Sequence, residues 1–397
     1  MASAVRSQPC TQTLTQDIEG FRSFTMAHPR LAQAKEELLS AIEASAPGSL
    51  ILVVGPTGVG KTTLRRKVEA ALTDKLAASM ETDPGRLPFI SLEAVAPDCG
   101  SFHWRDHYQR MLAQMQEPLI DYKLGPPRDE GERTAKGQYA SWPRAYTGYQ
   151  LQQSIENALR YRRPAAVFID EAQHLGRMAS GRKLADQLDV IKSTASRSHT
   201  VHVLIGTYEL LAFRNLSAQL SRRSIDLHFS RYQTESAGDV EIFQNAVFTF
   251  QKQLRSCGRL DLLNVWDFLY ERSLGCIGIL KDWLMRALIV AAQNAAPALN
   301  LAILEKTALS GSQCEKMLQE AREGEARLAD NNDTRVRLRR LLNLPDKVGA
   351  ASASVEPLPP ASAAPKINRR TPGVRSPQRD QIGLPRDQAG KLQVSHA

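Results

Sequence analysis

An apolar run that breaks into a glycine-rich turn and then a basic helix constrains this chain more than any other feature: LILVVGPTGVGKTTLRRK, residues 50–67. Gly55, Pro56, Thr57, Gly58, Val59, Gly60, Lys61 and Thr62 fit the spacing G-x-x-x-x-G-K-[ST], and Leu50 to Val54 supply the buried strand that such a loop follows. Glycines there let successive backbone N–H groups converge on one concavity, which the start of the next helix makes favourable to anions. The pattern predicts a nucleotide-binding site. Lys61 would reach the β- and γ-phosphates, the Thr62 hydroxyl would ligate Mg²⁺, and Thr63 completes the cofactor-binding set.

The surrounding pattern alternates between strands and helices. HPRLAQAKEELLSAIE (His28 to Glu43) reads as a helix with Pro29 near its start, and a helix runs from about Gly60 to Ala78 after the loop. LPFISLEAV (Leu87 to Val95) reads as a strand, followed by a helix over about Phe102 to Met115 and a polar loop over Asp121 to Trp142. A helix around Tyr149 to Tyr161 leads into AAVFIDEAQHL, where Ala165 to Ile169 is a continuous apolar run, the mark of a strand buried on both faces of a parallel sheet. A helix around Leu184 to Ser196, the strand Thr200 to Thr207 and a strand-like SIDLHF follow. This alternation predicts a doubly wound α/β fold with a parallel sheet.

Asp170 and Glu171 end the apolar run, where open parallel sheets place their ligands. Adjacent carboxylates at a strand end can simply cap a helix. Beside a phosphate loop they read as a pair in which Asp170 supports Mg²⁺ and Glu171 polarises the water attacking the γ-phosphate. Thr207 closes the later strand and is placed to hydrogen-bond that water or the γ-phosphate. Arg222 and Arg223 end a helix-like segment before SIDLHF. Either can act as a finger from a neighbouring subunit, and the pair can equally be a solvated helix end.

Charge and composition bound the rest. The chain has 397 residues and a formal charge of +9, with 42% hydrophobic residues, enough to bury a core. From Arg335 onward there are twelve Lys/Arg against four Asp/Glu, so everything before is nearly neutral. Residues 345–397 also hold eight prolines and read as a disordered basic tail, either a solubilising end or a segment that docks a partner or touches nucleic acid. No apolar run approaches the roughly eighteen residues of a membrane span, and MASAVRSQPCTQTLTQ lacks a signal-peptide core, so the expectation is a soluble protein of the cytoplasm. Five scattered cysteines indicate neither a disulfide framework nor a zinc site. His103 and His107 of HWRDH lie one helical turn apart but lack a third ligand.

Taken together, the phosphate loop, FIDEAQHL, QLDVIKSTAS and VLIGTYELLAFRNLSAQLSRRSIDLHFSRY resemble the AAA+ transposition regulators of the TnsC and TniB type, including those of CRISPR-associated transposons. The resemblance covers roughly Leu14 to Ala295. It implies a bacterial ATPase that binds ATP and Mg²⁺, assembles as a helical filament or ring on duplex DNA, and connects a target-selector protein to a transposase. It also implies that Thr207 is sensor 1, that Arg222 or Arg223 is the trans finger, and that a small helical lid covers the nucleotide. GCIGILKDWL resembles the start of the lid helix that often carries a sensor 2 arginine; this chain has Ile279 and Lys281 there, which makes Lys281 the candidate.

Domain organisation follows as an N-terminal extension (1–28), an α/β nucleotide-binding domain (29–234), a helical lid with further helices (235–344) and the tail (345–397). DNA-contact candidates are Arg105 and Arg110 on one helix and Lys123, Arg128, Arg133 and Lys136 in the polar loop. A few basic side chains per subunit, repeated along a filament, would add up through multivalency. No base-reading motif is present, so sequence preference should be weak. The competing expectation is an AAA+ or STAND-like ATPase switch that acts on protein partners without DNA.

Overall fold

A computed structural model describes residues 17–96, 102–117, 148–176, 181–215, 224–254, 260–294, 296, 298–329 and 332–344, with side chains at all but 181–188, 214–215 and 332–334. The chain forms two compact units, Met1–Asn331 and Asn332–Ala397. In the first, α1 (Pro29–Ala44), β1 (Leu50–Val54), α2 (Lys61–Thr82), β2 (Phe89–Glu93), α3 (Trp104–Gln114), α4 (Gly148–Arg162), β3 (Ala166–Asp170), α5 (Gly181–Ser198), β4 (Val201–Gly206), α6 (Leu211–Asn215) and β5 (Ser224–His228) build the α/β part.

The five strands form one parallel sheet in the order β2-β3-β4-β1-β5. Strands β1, β3 and β4 are buried along their whole length and are apolar apart from Asp170 at the end of β3 and His202 in β4, whereas the edge strands β2 and β5 are partly exposed. Successive side chains point to opposite faces, and the core divides accordingly. Leu50, Leu52 and Val54 of β1 pack with Val167, Ile169 and Leu204 against α3, α4 and α5, through Tyr108, Leu112, Leu151, Ile155 and Ile191. Ile51 and Val53 pack with Phe168, Val203 and Ile205 against α1 and α2, through Leu31, Leu38, Leu64 and Val68. Helix α1 begins at Pro29 behind the N-cap His28, whose ring accepts the Leu31 N–H.

A second, all-helical core follows. Helices α7 (Ala237–Gln253), α8 (Trp266–Ser273), α9 (Ile277–Gln293) and α10 (Leu301–Thr307) pack around Phe243, Phe250, Trp283 and Leu288, with Phe21 and Met26 from the N-terminal segment added. The Trp283 indole N–H donates to Leu304 O at 3.1 Å, which satisfies the one polar atom of a buried ring. Helix α11 (Gly311–Leu328), opened by a capping box of Ser310 and Gln313, returns to the sheet. Its Ala321 joins the sheet core, Glu325 pairs both oxygens with buried Arg231 at 3.0 and 3.2 Å, and Gly324 lies where a Cβ would meet the Tyr208 ring at 2.1 Å. Among the described residues no helix is long and apolar enough to cross a membrane.

The second unit, over its described residues, is helix α12 (Asn332–Leu341) and the turn after it, with Val336, Leu338, Leu341, Leu342 and Leu344 exposed. The segment expected to be a disordered tail, 345–397, lies outside the described residues.

Buried histidines make stability depend on pH, His107 and His202 most of all, being the most enclosed. His107 packs against Phe102 and Trp104 with ring centroids at 5.4 and 5.7 Å, and His202 lies within β4; burial lowers each pKa to about 4. The unfolded chain takes up their protons near pH 6.5 and the folded chain does not, so this contribution is intact above that value and is lost as pH falls toward 4. Each histidine should cost about 2 kcal/mol at pH 5. Urea unfolding at pH 7 and pH 5 checks this: the midpoint should drop at the lower pH and be restored in part by His107→Phe.

Candidate active site

The register brings the carboxyl ends of the central strands to one edge. Val54 pairs with Gly206 on one side and His228 on the other, while β3 runs beside β4 with Ile169 opposite Leu204. The loop after β1, the carboxylates after β3 and Thr207 after β4 therefore leave the sheet as neighbours.

The glycine loop is shaped by close approaches that side chains would block. Gly58 and Gly60 take positive φ of 76° and 109°, and a Cβ at Gly55 would lie 2.2 Å from Phe229 O. The first turn of α9 rests on the loop: a Cβ at Gly58 would lie 2.4 Å from Ile279 Cγ1, and one at Gly278 would lie 2.3 Å from Gly58 O. Lys61 is only 8% exposed, and its Nζ donates to Gly55 O at 3.0 Å and Pro56 O at 2.9 Å. Burial lowers its pKa, while Glu171, Asp170 and Cys276 pull it up. Thr62 Oγ1 donates to Asp170 Oδ2 at 3.1 Å, joining the helix after the loop to the strand that carries the carboxylates.

Asp170 is buried, and its Oδ1 accepts the Glu171 N–H at 3.0 Å. Glu171 turns the chain through a left-handed φ of 50°, an unusual position for a residue with a side chain, and caps the 3₁₀ turn Ala172–Leu175. Its carboxylate accepts from Gln173 Nε2, and Gln173 Oε1 in turn accepts the Thr207 N–H at 3.3 Å. A Cβ at Gly206 would lie 2.2 Å from Gln173 Oε1, so a side chain there would displace the Gln173 amide. Gln173 thus joins Glu171 to the tip of β4. Thr207 Oγ1 is buried and has no hydrogen-bond partner among the described residues.

These residues fit a nucleoside triphosphate with a hard divalent cation. The loop offers a glycine cradle and an ammonium, Thr207 offers a hydroxyl that lacks a partner, and Thr62 with Asp170 offers two oxygen donors 3.1 Å apart. No group of three or more His, Cys, Asp or Glu able to hold a metal occurs among the described residues. A cation here would draw its remaining ligands from phosphate and water, as Mg²⁺ does.

Several expectations fall elsewhere. Lys281, expected at the nucleotide, is turned away from it: its Nζ donates to Phe24 O at 2.6 Å and Arg22 O at 3.3 Å, bracing the N-terminal segment against α9. The α9 residue that meets the loop is Ile279, because helical spacing puts positions 279 and 281 on different faces. Arg105 and Arg110 are exposed on α3, and Arg110 pairs with Asp106 of its own helix at 2.7 Å. Arg222, Arg223, Lys123, Arg128, Arg133 and Lys136 lie outside the described residues. Two residues at the site went unread in the sequence, Gln173 and Arg65. Their positions, three past Asp170 and three past Thr62, were the available signal.

The Gln173 link has a measurable consequence. Gln173→Ala should lower ATP turnover by about tenfold, less than loss of a positioned acid–base group itself, with nucleotide affinity unchanged. Steady-state hydrolysis combined with fluorescent-ATP titration reads both quantities, and undiminished turnover would show that Glu171 needs no such support.

Comparison with known proteins bears on the α/β part. Residues 45–213 match the family model of the AAA domain. No curated protein matches the chain. Among solved structures, the chain is similar to the ORC2 protein of Aeropyrum pernix in ADPNP–ADP complexes (14% identity, TM-score 0.46, covering 74% of this chain and 72% of that one). It is also similar to the ORC1 protein of Aeropyrum pernix in complex with DNA (17%, 0.44, 75% and 68%) and to Drosophila ORC bound to DNA (15%, 0.42, 77% and 67%). The family match spans β1 to β4 and takes in the phosphate loop, Asp170, Glu171 and Thr207.

Proposed function

We propose that the chain is an ATP-hydrolysing AAA+ regulator of transposition that oligomerises on duplex DNA and links a target-selector protein to a transposase in the bacterial cytoplasm. The observation that supports the ATPase part is the convergence of Lys61, Thr62, Asp170, Glu171 and Thr207 at one edge of the sheet. In this reading Lys61 leaves the Gly55 and Pro56 carbonyls for the β- and γ-phosphates, and the loop N–H groups hold the phosphate oxygens. Glu171 orients the attacking water and takes its proton, while the Thr207 hydroxyl gains the partner it lacks. Mg²⁺ held through Thr62 and Asp170 would neutralise charge on the β- and γ-oxygens. Arg222 or Arg223 of a neighbouring subunit would complete the site and make turnover depend on assembly.

The transposition part is supported by the GTYELL and QLSRRS segments of the resemblance. The nearly neutral charge before Arg335 favours a second reading, a switch that acts on protein partners without DNA, because nonspecific affinity grows with the number of phosphates neutralised. Electron microscopy of the protein with plain duplex DNA, with and without a nonhydrolysable ATP analogue, separates the two. Ordered filaments or rings on DNA only with the analogue support the first reading; the same particles with and without DNA support the second.

A further inference from the structure

We propose that Arg65 is a positioning residue of the cation site: a guanidinium that holds Asp170 Oδ2 in place of a metal ion and competes with Mg²⁺ for that oxygen. The inference rests on the nucleotide reading above. Arg65 lies three residues beyond Thr62 on α2, so the two side chains share a helix face. Its Nε donates to Asp170 Oδ2 at 3.1 Å, the same oxygen that accepts Thr62 Oγ1 at 3.1 Å. The second oxygen, Oδ1, already accepts the Glu171 N–H. Both oxygens of the carboxylate thus have protein donors.

The far side of the guanidinium is anchored as well. Arg65 Nη1 donates to Glu69 Oε1 at 2.8 Å and to Ser91 Oγ on β2. The Arg65 and Asp170 side chains are 17% and 5% exposed. A carboxylate this buried is costly without a countercharge, and the guanidinium supplies one. A divalent cation held through Thr62 and Asp170 needs the lone pairs of Oδ2, and two donors take them up here. Guanidinium and metal therefore carry the same sign of charge to one atom, and Glu69 and Ser91 keep Arg65 close when it lets go. The alternative is a plain crosslink between α2, β2 and β3, which would affect stability and leave the cation requirement alone.

The test is the Mg²⁺ concentration that half-maximally enhances binding of a fluorescent ATP analogue to the full chain. In Arg65→Met it should fall about fivefold, because one charge-assisted competitor is gone. Arg65→Lys keeps a cation beside Asp170, and Glu69→Gln leaves Arg65 on Asp170; both midpoints should stay within about twofold of the unaltered protein. Thermal unfolding without nucleotide controls for a crosslink: a lowered melting temperature in Arg65→Met with an unmoved or raised Mg²⁺ midpoint overturns the proposal. A Lys variant displaced as far as the Met variant would also overturn it. If the unaltered protein does not bind the analogue with or without Mg²⁺, the nucleotide reading fails along with the inference; if it binds but Mg²⁺ has no effect, or the midpoint does not move in Arg65→Met, only the inference fails.

Discussion

Lys61→Ala is expected to weaken ATP binding by at least about a hundredfold, since two charge-assisted hydrogen bonds to phosphate are lost. The side chain is placed for this role before any ligand arrives. Lys61 is buried and its Nζ is bound to the loop's own Gly55 and Pro56 carbonyls, so its ammonium already lies inside the loop. Burial that lowers its pKa makes the charge costly to keep there, and phosphate oxygens would offset that cost better than two carbonyls. The alanine variant should still fold, because the loop's conformation is set by Gly58 and Gly60 and by packing on Phe229 and Ile279. Titration with a fluorescent ATP analogue, beside thermal unfolding, checks both statements; unchanged affinity would remove Lys61 from the site.

Glu171→Gln should leave binding intact and slow hydrolysis by about a hundredfold or more, the usual loss for a positioned acid–base group. The change is nearly isosteric, and an amide oxygen can still accept from Gln173 Nε2, so the link through Gln173 to Thr207 survives. What disappears is the carboxylate that, under the proposed function, takes the proton from water. Under the DNA-binding reading the variant should also remain on duplex DNA longer in the presence of ATP. Single-turnover hydrolysis gives the direct comparison, and a variant that turns over normally would require another base.

The strands at the centre of the sheet were legible because burial on both faces leaves a continuous apolar run, as in Leu50–Val54 and in Ala166–Ile169 of β3. The edge strand was overdrawn: Leu87 to Val95 narrows to Phe89–Glu93, the five residues that pair with β3. Helix α2 continues to Thr82, past the expected Ala78, because no breaker appears before Asp83 and Pro84. The meeting of Lys61, Thr62, Asp170 and Glu171 at one sheet edge could be read from spacing because each belongs to a local motif.

Contacts between distant segments could not be read in that way. Arg65 meets Asp170 across 105 residues, and Gln173 reaches Thr207 across 34. Nothing in either local pattern says which segment will be opposite. The contacts of Lys281 with the Phe24 and Arg22 carbonyls were hidden for a related reason: helical periodicity identifies α9, but which face meets the loop depends on how the helical core sits against the sheet. The return of α11 to Tyr208 and Arg231 is another case, since an amphipathic helix shows that it buries a face without showing against what.

Calorimetric titration of the full chain with a nonhydrolysable ATP analogue and Mg²⁺ tests the central claim most directly. One analogue should bind per chain, with the affinity falling when Mg²⁺ is withheld and binding abolished in Lys61→Ala. Absence of heat with the unaltered protein, or binding that Lys61→Ala leaves intact, would contradict the assignment of this sheet edge as a triphosphate site.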